Sequence, residues 1–144
     1  MTPQPPHANN EVLYVEPDEL SAMLIAVDIY IRVLQGAGLP AVSRDIVLPP
    51  LQSLKQHCQA LISQIAQGKE HRRLLPVLCS AQELIVFGNS VEMYMHLEKA
   101  GMIAYLSVDG SMNIKEEIDI IGRLLAVQQR YLLSTSLTLL SSEE

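Results

Sequence analysis

The residues that could bind a metal ion are few and poorly spaced. The histidines are His7, His57, His71 and His96, and no two of them share one face of a predicted helix. A carboxylate-bridged di-iron bundle needs a Glu-x-x-His motif on each of two helices and two further glutamates. Here Glu92 and His96 stand four residues apart, a spacing that pairing on a helix surface explains equally well. The sequence therefore predicts no metal centre and leaves Glu92 and His96 as candidate ionisable residues.

Nucleophilic catalysis has equally little support. A thiol enzyme needs a cysteine beside a histidine that is oriented by an Asp or Asn. Cys58 lies on the apolar face of a predicted helix, and Cys79 lies between Leu78 and Ser80, positions typical of small core residues. The sequence has no Gly-x-Ser-x-Gly motif, no glycine-rich phosphate loop and no dinucleotide-binding fingerprint. These absences disfavour catalysis without excluding carboxylates that converge only in the fold, and we expect no cofactor.

Two charged residues interrupt the most apolar predicted helix, residues 20–34. Asp28 and Arg32 are four residues apart, so a helix brings their side chains together. A charge in an apolar helix must be paired, must shift its pKa or must serve a site. The plain interpretation is an ion pair facing solvent. The alternative is a small-ligand or metal-using bundle enzyme that employs Asp28, Arg32, Glu92 and His96.

The apolar seam of the same helix is the candidate interaction surface. Its members follow the four-three spacing of one helix face and are Leu20, Leu24, Val27, Ile31 and Leu34. Polar residues form only a narrow stripe, so this helix offers more apolar surface than a small bundle readily hides. A second copy of the chain would remove that surface from water. The sequence thus predicts protein association through this seam, in a homodimer.

Composition narrows the classes of partner. The chain has 144 residues, of which 49% are hydrophobic and 18% charged, and its mean hydropathy is +0.20. This length fits one folded domain. The net charge of −6 opposes nucleic-acid binding unless basic residues gather on one face. The basic cluster at residues 69–73 follows a predicted helix end, where positive charge is favourable without any partner.

The same residues predict a cytoplasmic location. The most apolar stretch is interrupted by charge and is too short to span a bilayer, so we expect no membrane association. The first residues, Met-Thr-Pro-Gln-Pro-Pro, lack the order of a signal peptide. Two cysteines allow one disulfide at most, and free thiols fit a reducing compartment.

Apolar spacing predicts an all-α bundle of four or five helices. Residues 20–34, 51–65 and 114–132 each carry a four-three seam, and residues 90–99 form a shorter helix. In the last long helix the predicted core seam is Ile114, Ile118, Ile121, Leu125 and Leu132, with Gln128 as its one polar position. Asn113 with Glu116, Ser80 with Glu83, and Asn89 with Glu92 have capping-box spacing.

The remaining segments are assigned by composition. Residues 36–50 predict a loop, and residues 69–87 are helical in composition with a break at Pro76. Residues 12–15 fit a short strand. Residues 103–114 fit either a β-hairpin with Asp109-Gly110 as its turn or a loop between two helices. We expect a flexible leader at 1–11, a single helical domain at 12–140 and a frayed tail at 141–144.

One phrase resembles a known family. Residues 97–103, LEKAGMI, followed by the possible hairpin at 109–110, are similar to the helix-to-wing junction of winged helix-turn-helix regulators. The resemblance covers only residues 90–114 and implies a transcriptional regulator. However, the presumed reading helix carries two acidic residues and one lysine, and no basic residue precedes Lys115 in the presumed wing. DNA reading needs basic side chains at both places.

The sequence therefore favours a non-catalytic interaction module of the adaptor, chaperone-like or regulatory kind. Its expected partner is a protein or a second copy of itself. A winged-helix-like regulator is the first alternative, and the bundle enzyme is the second.

Overall fold

The computed structural model describes residues 10–36, 41–106 and 113–142. These residues form, in chain order, β1 (Asn10–Val15), α1 (Pro17–Gly36), α2 (Ala41–Ala66), β2 (Leu75–Ser80), α3 (Ala81–Lys99), α4 (Ile103–Leu106) and α5 (Ile114–Ser142). Helices account for most of the chain, and the sheet is small. The predicted all-α bundle of four or five helices is confirmed. Its small antiparallel sheet is formed by β1 and β2 and not by residues near 103–114, where the sequence allowed a hairpin.

Helix α1 lies at the centre of the fold. It begins at Pro17 with two acidic residues in its first turn, as predicted, because proline and negative charge both suit a helix start. α1 packs against α2, α3 and α5, so side chains on nearly all of its faces are buried. This position explains why it is apolar almost all round.

Within the described residues, no helix combines the length and apolar character needed to cross a membrane.

The two strands pair antiparallel, although about half of the chain separates them. Asn10 pairs with Ser80 and Val15 pairs with Leu75. The predicted strand at 12–15 is confirmed, whereas the helical interpretation of residues 69–87 is wrong over 69–80, because residues 69–74 are irregular and 75–80 form β2. Burial alternates along β2, the period of a strand, and its buried Leu75 and Val77 pair with Val15 and Leu13, which are buried too. Long-range pairing has overridden the local helical composition.

Side chains from neighbouring helices engage both edges of this sheet. Because Pro76 has no N–H, the pair Tyr14–Pro76 must be a non-hydrogen-bonded pair, which directs the Tyr14 backbone away from β2. The Tyr14 carbonyl accepts a hydrogen bond from Nη1 of Arg130 in α5. On the opposite edge, the Ser80 N–H donates to Oε1 of Glu83, at 2.9 Å. α5 therefore holds one strand and α3 the other.

Helix α2 is longer than the sequence predicts. The predicted helix at 51–65 is confirmed, but the predicted loop at 36–50 is wrong from residue 41 onward, where α2 begins. Pro49 and Pro50 lie inside the helix and cannot donate to the carbonyls of Asp45 and Ile46. Both of those residues are exposed, so water can satisfy their carbonyls. Exposure makes the two prolines tolerable.

Helix α3 starts with a complete capping box. The Glu83 N–H donates to Ser80 Oγ at 3.1 Å. The Ser80 N–H donates in turn to the Glu83 carboxylate, which completes the box. The predicted second helix start at Asn89 is wrong, because α3 continues unbroken to Lys99. Ser90, just after Asn89, is buried and donates its hydroxyl to the Val86 carbonyl at 2.7 Å, as a serine inside a helix does.

The segment after α3 differs from the predicted hairpin. The chain leaves α3 through Gly101, whose φ of +70° is the left-handed conformation that favours glycine at a helix end. Residues 103–106 then form α4 and not a strand, because Ile103 is fully buried in the helical core and the Leu106 carbonyl is held by Arg32. The predicted turn at Asp109-Gly110 lies outside the described residues.

Helix α5 begins where its capping residues predict. Oδ1 of Asn113 accepts a hydrogen bond from the Glu116 N–H at 2.9 Å, and Nδ2 of Asn113 donates to the Glu116 carboxylate at 3.0 Å. The first of these bonds satisfies a backbone N–H that a helix start otherwise leaves unpaired, and the second joins the two side chains. α5 then packs along α1, α3 and β1.

Candidate interaction surface

The α1 seam, where the sequence placed the interaction surface, is part of the chain's own core. Leu20 and Val27 have no exposed surface, and Ile31 and Leu34 are each 5% exposed. Leu24 is partly buried and packs against the same core. The aliphatic surplus noted in the sequence is therefore covered by the other helices and the sheet. In this fold the α1 seam leaves little apolar surface for a partner.

Helix α5 carries two adjacent apolar seams, and the chain buries only one of them. The buried seam has four-three spacing and comprises Glu117, Ile120, Leu124, Val127 and Tyr131, of which Tyr131 is partly buried. The Glu117 carbonyl accepts a hydrogen bond from the Tyr94 hydroxyl of α3, at 3.4 Å. The seam that the sequence predicted to face the core, which begins at Ile114, lies about 100° around the helix from this buried seam, a displacement of about one residue.

The displaced seam forms a strip along the side of α5. We call Ile114, Ile118, Ile121, Leu125 and Leu132 the outer strip. Ile114 is 69% exposed, Ile118 is 53% exposed and Leu132 is 61% exposed. Ile121 and Leu125 are half-buried at the margin of the core. Single exposed aliphatic residues are common on protein surfaces, and here Ile114, Ile118 and Leu132 lie on one side of the same helix.

The outer strip borders a shallow cavity between α3 and α5. The cavity, of about 240 Å³, is lined by Leu13, Leu84, Phe87, Gln128, Tyr131 and Leu132. Gly88 of α3 lies opposite Gln128, and a Cβ built on it would stand 4.0 Å from the amide nitrogen of Gln128. The cavity is lined mainly by apolar side chains and has room for an aliphatic side chain.

A glycine interrupts the side chains on the same face of α5. Gly122 lies one turn after Ile118 and three residues before Leu125, is exposed, and would place a Cβ in open space. A glycine inside a helix destabilises it by about 1 kcal/mol relative to alanine. Nothing within the chain's own described packing requires a glycine there.

The second part of α5 presents almost no charge. From Leu124 to Ser142 the only charged residue is Arg130. Its guanidinium binds Glu19 of α1 through both carboxylate oxygens, at 2.8 and 3.0 Å. Burial acts to raise the pKa of Glu19, but hydrogen bonds from Arg130 and from the Glu16 N–H outweigh it and lower the pKa below its usual value. This pair fastens α5 to α1.

The predicted ionisable pair on α1 forms a structural network. Nε of Arg32 lies 3.5 Å from the Asp28 carboxylate, and Nζ of Lys55 in α2 lies 2.7 Å from it. Nη1 of Arg32 also donates to the Leu106 carbonyl at 2.9 Å. Asp28 and Arg32 thus connect α1 to α2 and α4, and Lys55 was not among the predicted site residues because sequence distance concealed it.

Glu92 and His96 lie exposed on α3. They belong to the solvent-facing side of that helix, whereas Asp28 is partly buried between α1 and α2. Among the residues that the structure describes, no three His, Cys, Asp or Glu side chains are arranged to hold a metal ion. The four candidate residues therefore divide into a structural pair and a surface pair.

Both cysteines are buried beside a carboxylate. Cys58 is fully buried and Cys79 is 1% exposed. Burial, and then the nearby charge of Glu83, raise the pKa of each thiol to about 12. Nε2 of His57, whose side chain is exposed, lies 3.1 Å from the buried Oε2 of Glu83. The thiols are protonated at neutral pH and act as core residues.

The basic cluster at 69–73 is partly neutralised within itself. Nε and Nη2 of Arg72 donate to the two carboxylate oxygens of Glu70, at 2.9 and 2.8 Å. The hydrogen bonds from Arg72 hold the pKa of Glu70 down, at about 2. An anion approaching this cluster would meet less positive charge than the sequence alone indicates.

Comparisons with known proteins do not link this chain to a relative. No protein-family model matches the sequence. No curated protein and no solved structure is significantly similar to it either. The functional inference therefore depends on the geometry of the outer strip.

Proposed function

We propose that the protein is a non-catalytic interaction module that acts as a homodimer, with the outer strip of α5 as its contact surface. The observation that carries this proposal is the exposure of Ile114, Ile118 and Leu132 along one side of a long helix. Their spacing is that of a helix seam made to pack against another helix. The proposal keeps the predicted type of function but moves the surface from α1 to α5.

Pairing of two copies through the outer strip removes apolar surface from water. Burying one aliphatic side chain stabilises an assembly by about 1.5–3 kcal/mol before the costs of association are counted. Three well-exposed and two half-exposed members on each copy supply several such increments. The lack of free charge from Leu124 to Ser142 means that contact there desolvates no unpaired ion.

The ionisable groups support a structural and not a catalytic assignment. Asp28, Glu19 and Glu83 are partly or fully buried carboxylates, and each of them joins two elements or caps a helix. Both thiols are held protonated by burial. These groups hold the bundle together, and none of them accounts for the exposed apolar residues of the outer strip.

Sedimentation velocity across the micromolar range tests the proposal. We expect the wild-type chain to sediment as a dimer and the variants Ile118→Glu and Leu132→Glu as monomers, because a carboxylate on the strip would have to be desolvated. Gln52→Glu, on an exposed position of α2, is the matched control and should remain dimeric. Circular dichroism verifies that each variant keeps its helix content.

Two results would overturn the proposal. A wild-type chain that is monomeric at every concentration rules out the homodimer. A wild-type dimer that both glutamate variants leave intact shows that association uses another surface.

A further inference from the structure

Resting on the proposed function, the geometry points to a specific arrangement of the dimer. We infer that a second copy of the chain binds the outer strip with its own α5 running antiparallel, and that the two-fold axis passes close to Leu125. The observations that carry this inference are the seven-residue spacing of the strip, the position of Gly122 and the distribution of charge along α5.

The spacing of the strip is self-complementary about its centre. Ile118, Leu125 and Leu132 are separated by seven residues, two helical turns, so they point in nearly the same direction. In an antiparallel pair centred on Leu125, Ile118 of one copy faces the partner's Leu132, and Leu125 faces the partner's Leu125. Each apolar side chain then meets another apolar side chain on the same line.

Gly122 and Gln129 complete the same line of contact. They occupy the positions between the three aliphatic residues, so the full seam reads Ile118, Gly122, Leu125, Gln129 and Leu132. The antiparallel arrangement places Gly122 opposite the partner's Gln129, and the space left by the glycine receives the long side chain. A parallel arrangement would place glycine opposite glycine and Gln129 opposite Gln129, which leaves a void in one layer and crowding in another.

The cavity beside Leu132 fits this arrangement. The partner's Ile118, which faces Leu132, comes next to the space lined by Leu84, Phe87 and Tyr131. By symmetry the same contact forms twice, once at each end of the seam. The cavity thereby gains an aliphatic occupant.

Charge along α5 favours the same direction. Residues 115–123 carry three acidic and two basic side chains, whereas Arg130 is the only charged residue from Leu124 to Ser142. Parallel pairing would place the two acidic segments side by side. Antiparallel pairing keeps the two acidic segments apart, because each then lies beside a segment whose one charge, on Arg130, is already paired with Glu19. It also opposes the two helix dipoles favourably.

Cysteine cross-linking distinguishes the two directions. The variants are Leu125→Cys, Ile118→Cys and Leu132→Cys, oxidised by copper phenanthroline in air, with the wild-type chain and its buried cysteines as the background control. We expect Leu125→Cys to form a covalent dimer alone. Ile118→Cys and Leu132→Cys should cross-link efficiently only when the two variants are mixed. Gln52→Cys is the exposed control and should not cross-link.

Each alternative result has a definite meaning. Self-linking of Ile118→Cys and of Leu132→Cys shows a parallel pair and overturns the inference. A dimer in sedimentation without any cross-link at the three strip positions places the interface elsewhere and also overturns it. A chain that is monomeric in sedimentation overturns the proposed function itself, so the two failures are distinguishable.

Gly122 provides a measurement that does not depend on cross-linking. In the single chain a larger side chain at position 122 meets open space, so Gly122→Leu should leave the fold intact. In the antiparallel dimer it collides with the partner's Gln129 and should raise the dissociation constant by about tenfold. An unchanged dissociation constant would place Gly122 outside the contact and contradict the inference.

Discussion

Helices α1 and α5 have the same four-three spacing of aliphatic residues but opposite surroundings. On α1 the predicted interaction residues, Leu20 among them, are buried on every side by the chain itself. On α5 the residues predicted to face the core, such as Ile118 and Leu132, are more than half exposed. The spacing is a property of each helix, whereas burial is a property of its neighbours.

The contrast follows from the position of each helix in the bundle. α1 has α2, α3 and α5 around it, so nearly every residue on it meets another element. α5 packs at the periphery, and its apolar arc is wider than the groove that receives it. A helix whose apolar arc exceeds its own contacts is the better candidate for binding a partner than one that is merely apolar all round.

The largest effect on stability should come from a substitution in the buried core of α1. Leu20→Ala removes a fully buried side chain and leaves a cavity in α1, so we expect the free energy of unfolding to fall by about 3 kcal/mol. Urea unfolding followed by circular dichroism, at concentrations where the chain is monomeric, measures the change. A loss below about 1 kcal/mol would mean that the α1 core is loosely packed.

The two helices are joined by Glu19 and Arg130, and breaking that pair should give the next largest effect. Arg130→Met leaves the Glu19 carboxylate buried without its partner, and Arg130 is itself partly exposed, so we expect a loss of about 2 kcal/mol. The double variant Glu19→Gln with Arg130→Met should recover part of the loss, because it removes the unpaired charge. No recovery would show that the pair acts through packing alone.

The same pair makes stability depend on pH in a defined direction. The pKa of Glu19 is lowered in the folded state, so its contribution is present at neutral pH and is lost as the pH falls through the folded pKa, below the usual carboxyl value. Arg130→Met should lack this contribution, so the difference between variant and wild type should shrink in acid. Urea unfolding at several pH values, with Gln52→Glu as a control, measures it. A constant difference would contradict the assignment.

A smaller effect of opposite sign is expected on the outer side of α5. Gly122→Ala adds a Cβ in open space, so the unfolding free energy of the monomer should rise by up to about 1 kcal/mol. The dimer should weaken at the same time, because the space for Gln129 is reduced. Thermal unfolding and sedimentation measure the two effects separately. A variant that stabilises the monomer and the dimer equally would remove the argument for a close approach at Gly122.

The smallest effect should come from the strip itself when the chain is monomeric. Leu132 is 61% exposed, so Leu132→Ala should change the free energy of unfolding by less than about 0.5 kcal/mol. Leu20→Ala, the same substitution in α1, is the internal control. Equal losses at the two positions, measured by urea unfolding, would abolish the distinction between the two helices.

Features that depend on neighbouring residues could be predicted from the sequence. The capping residues Ser80 with Glu83, and Asn113 with Glu116, act within one helical turn. Ser80 and Glu83 form the complete capping box that their spacing predicts, and Asn113 caps α5 through its side-chain oxygen. The ion pair between Asp28 and Arg32 is local for the same reason. These features need no knowledge of the rest of the fold.

Features that depend on distant partners could not be predicted in the same way. β2 adopts a strand because β1 pairs with it, and the helical composition of its surroundings concealed this. The seam of α5 was predicted one position away from the buried one because both seams are apolar, and only contact with α1 and α3 decides between them. Lys55 joins Asp28 from another helix, so no local spacing identifies it.

The pairing of β1 with β2 also has a consequence for how the chain folds. β1 is the first described element, yet its strand partner begins at Leu75 and the side chain that holds its outer edge is Arg130. Contacts that close such long loops form late, since the entropy of closure is paid before they contribute stability. During synthesis β1 therefore has no sheet partner until residues 75–80 have emerged from the ribosome.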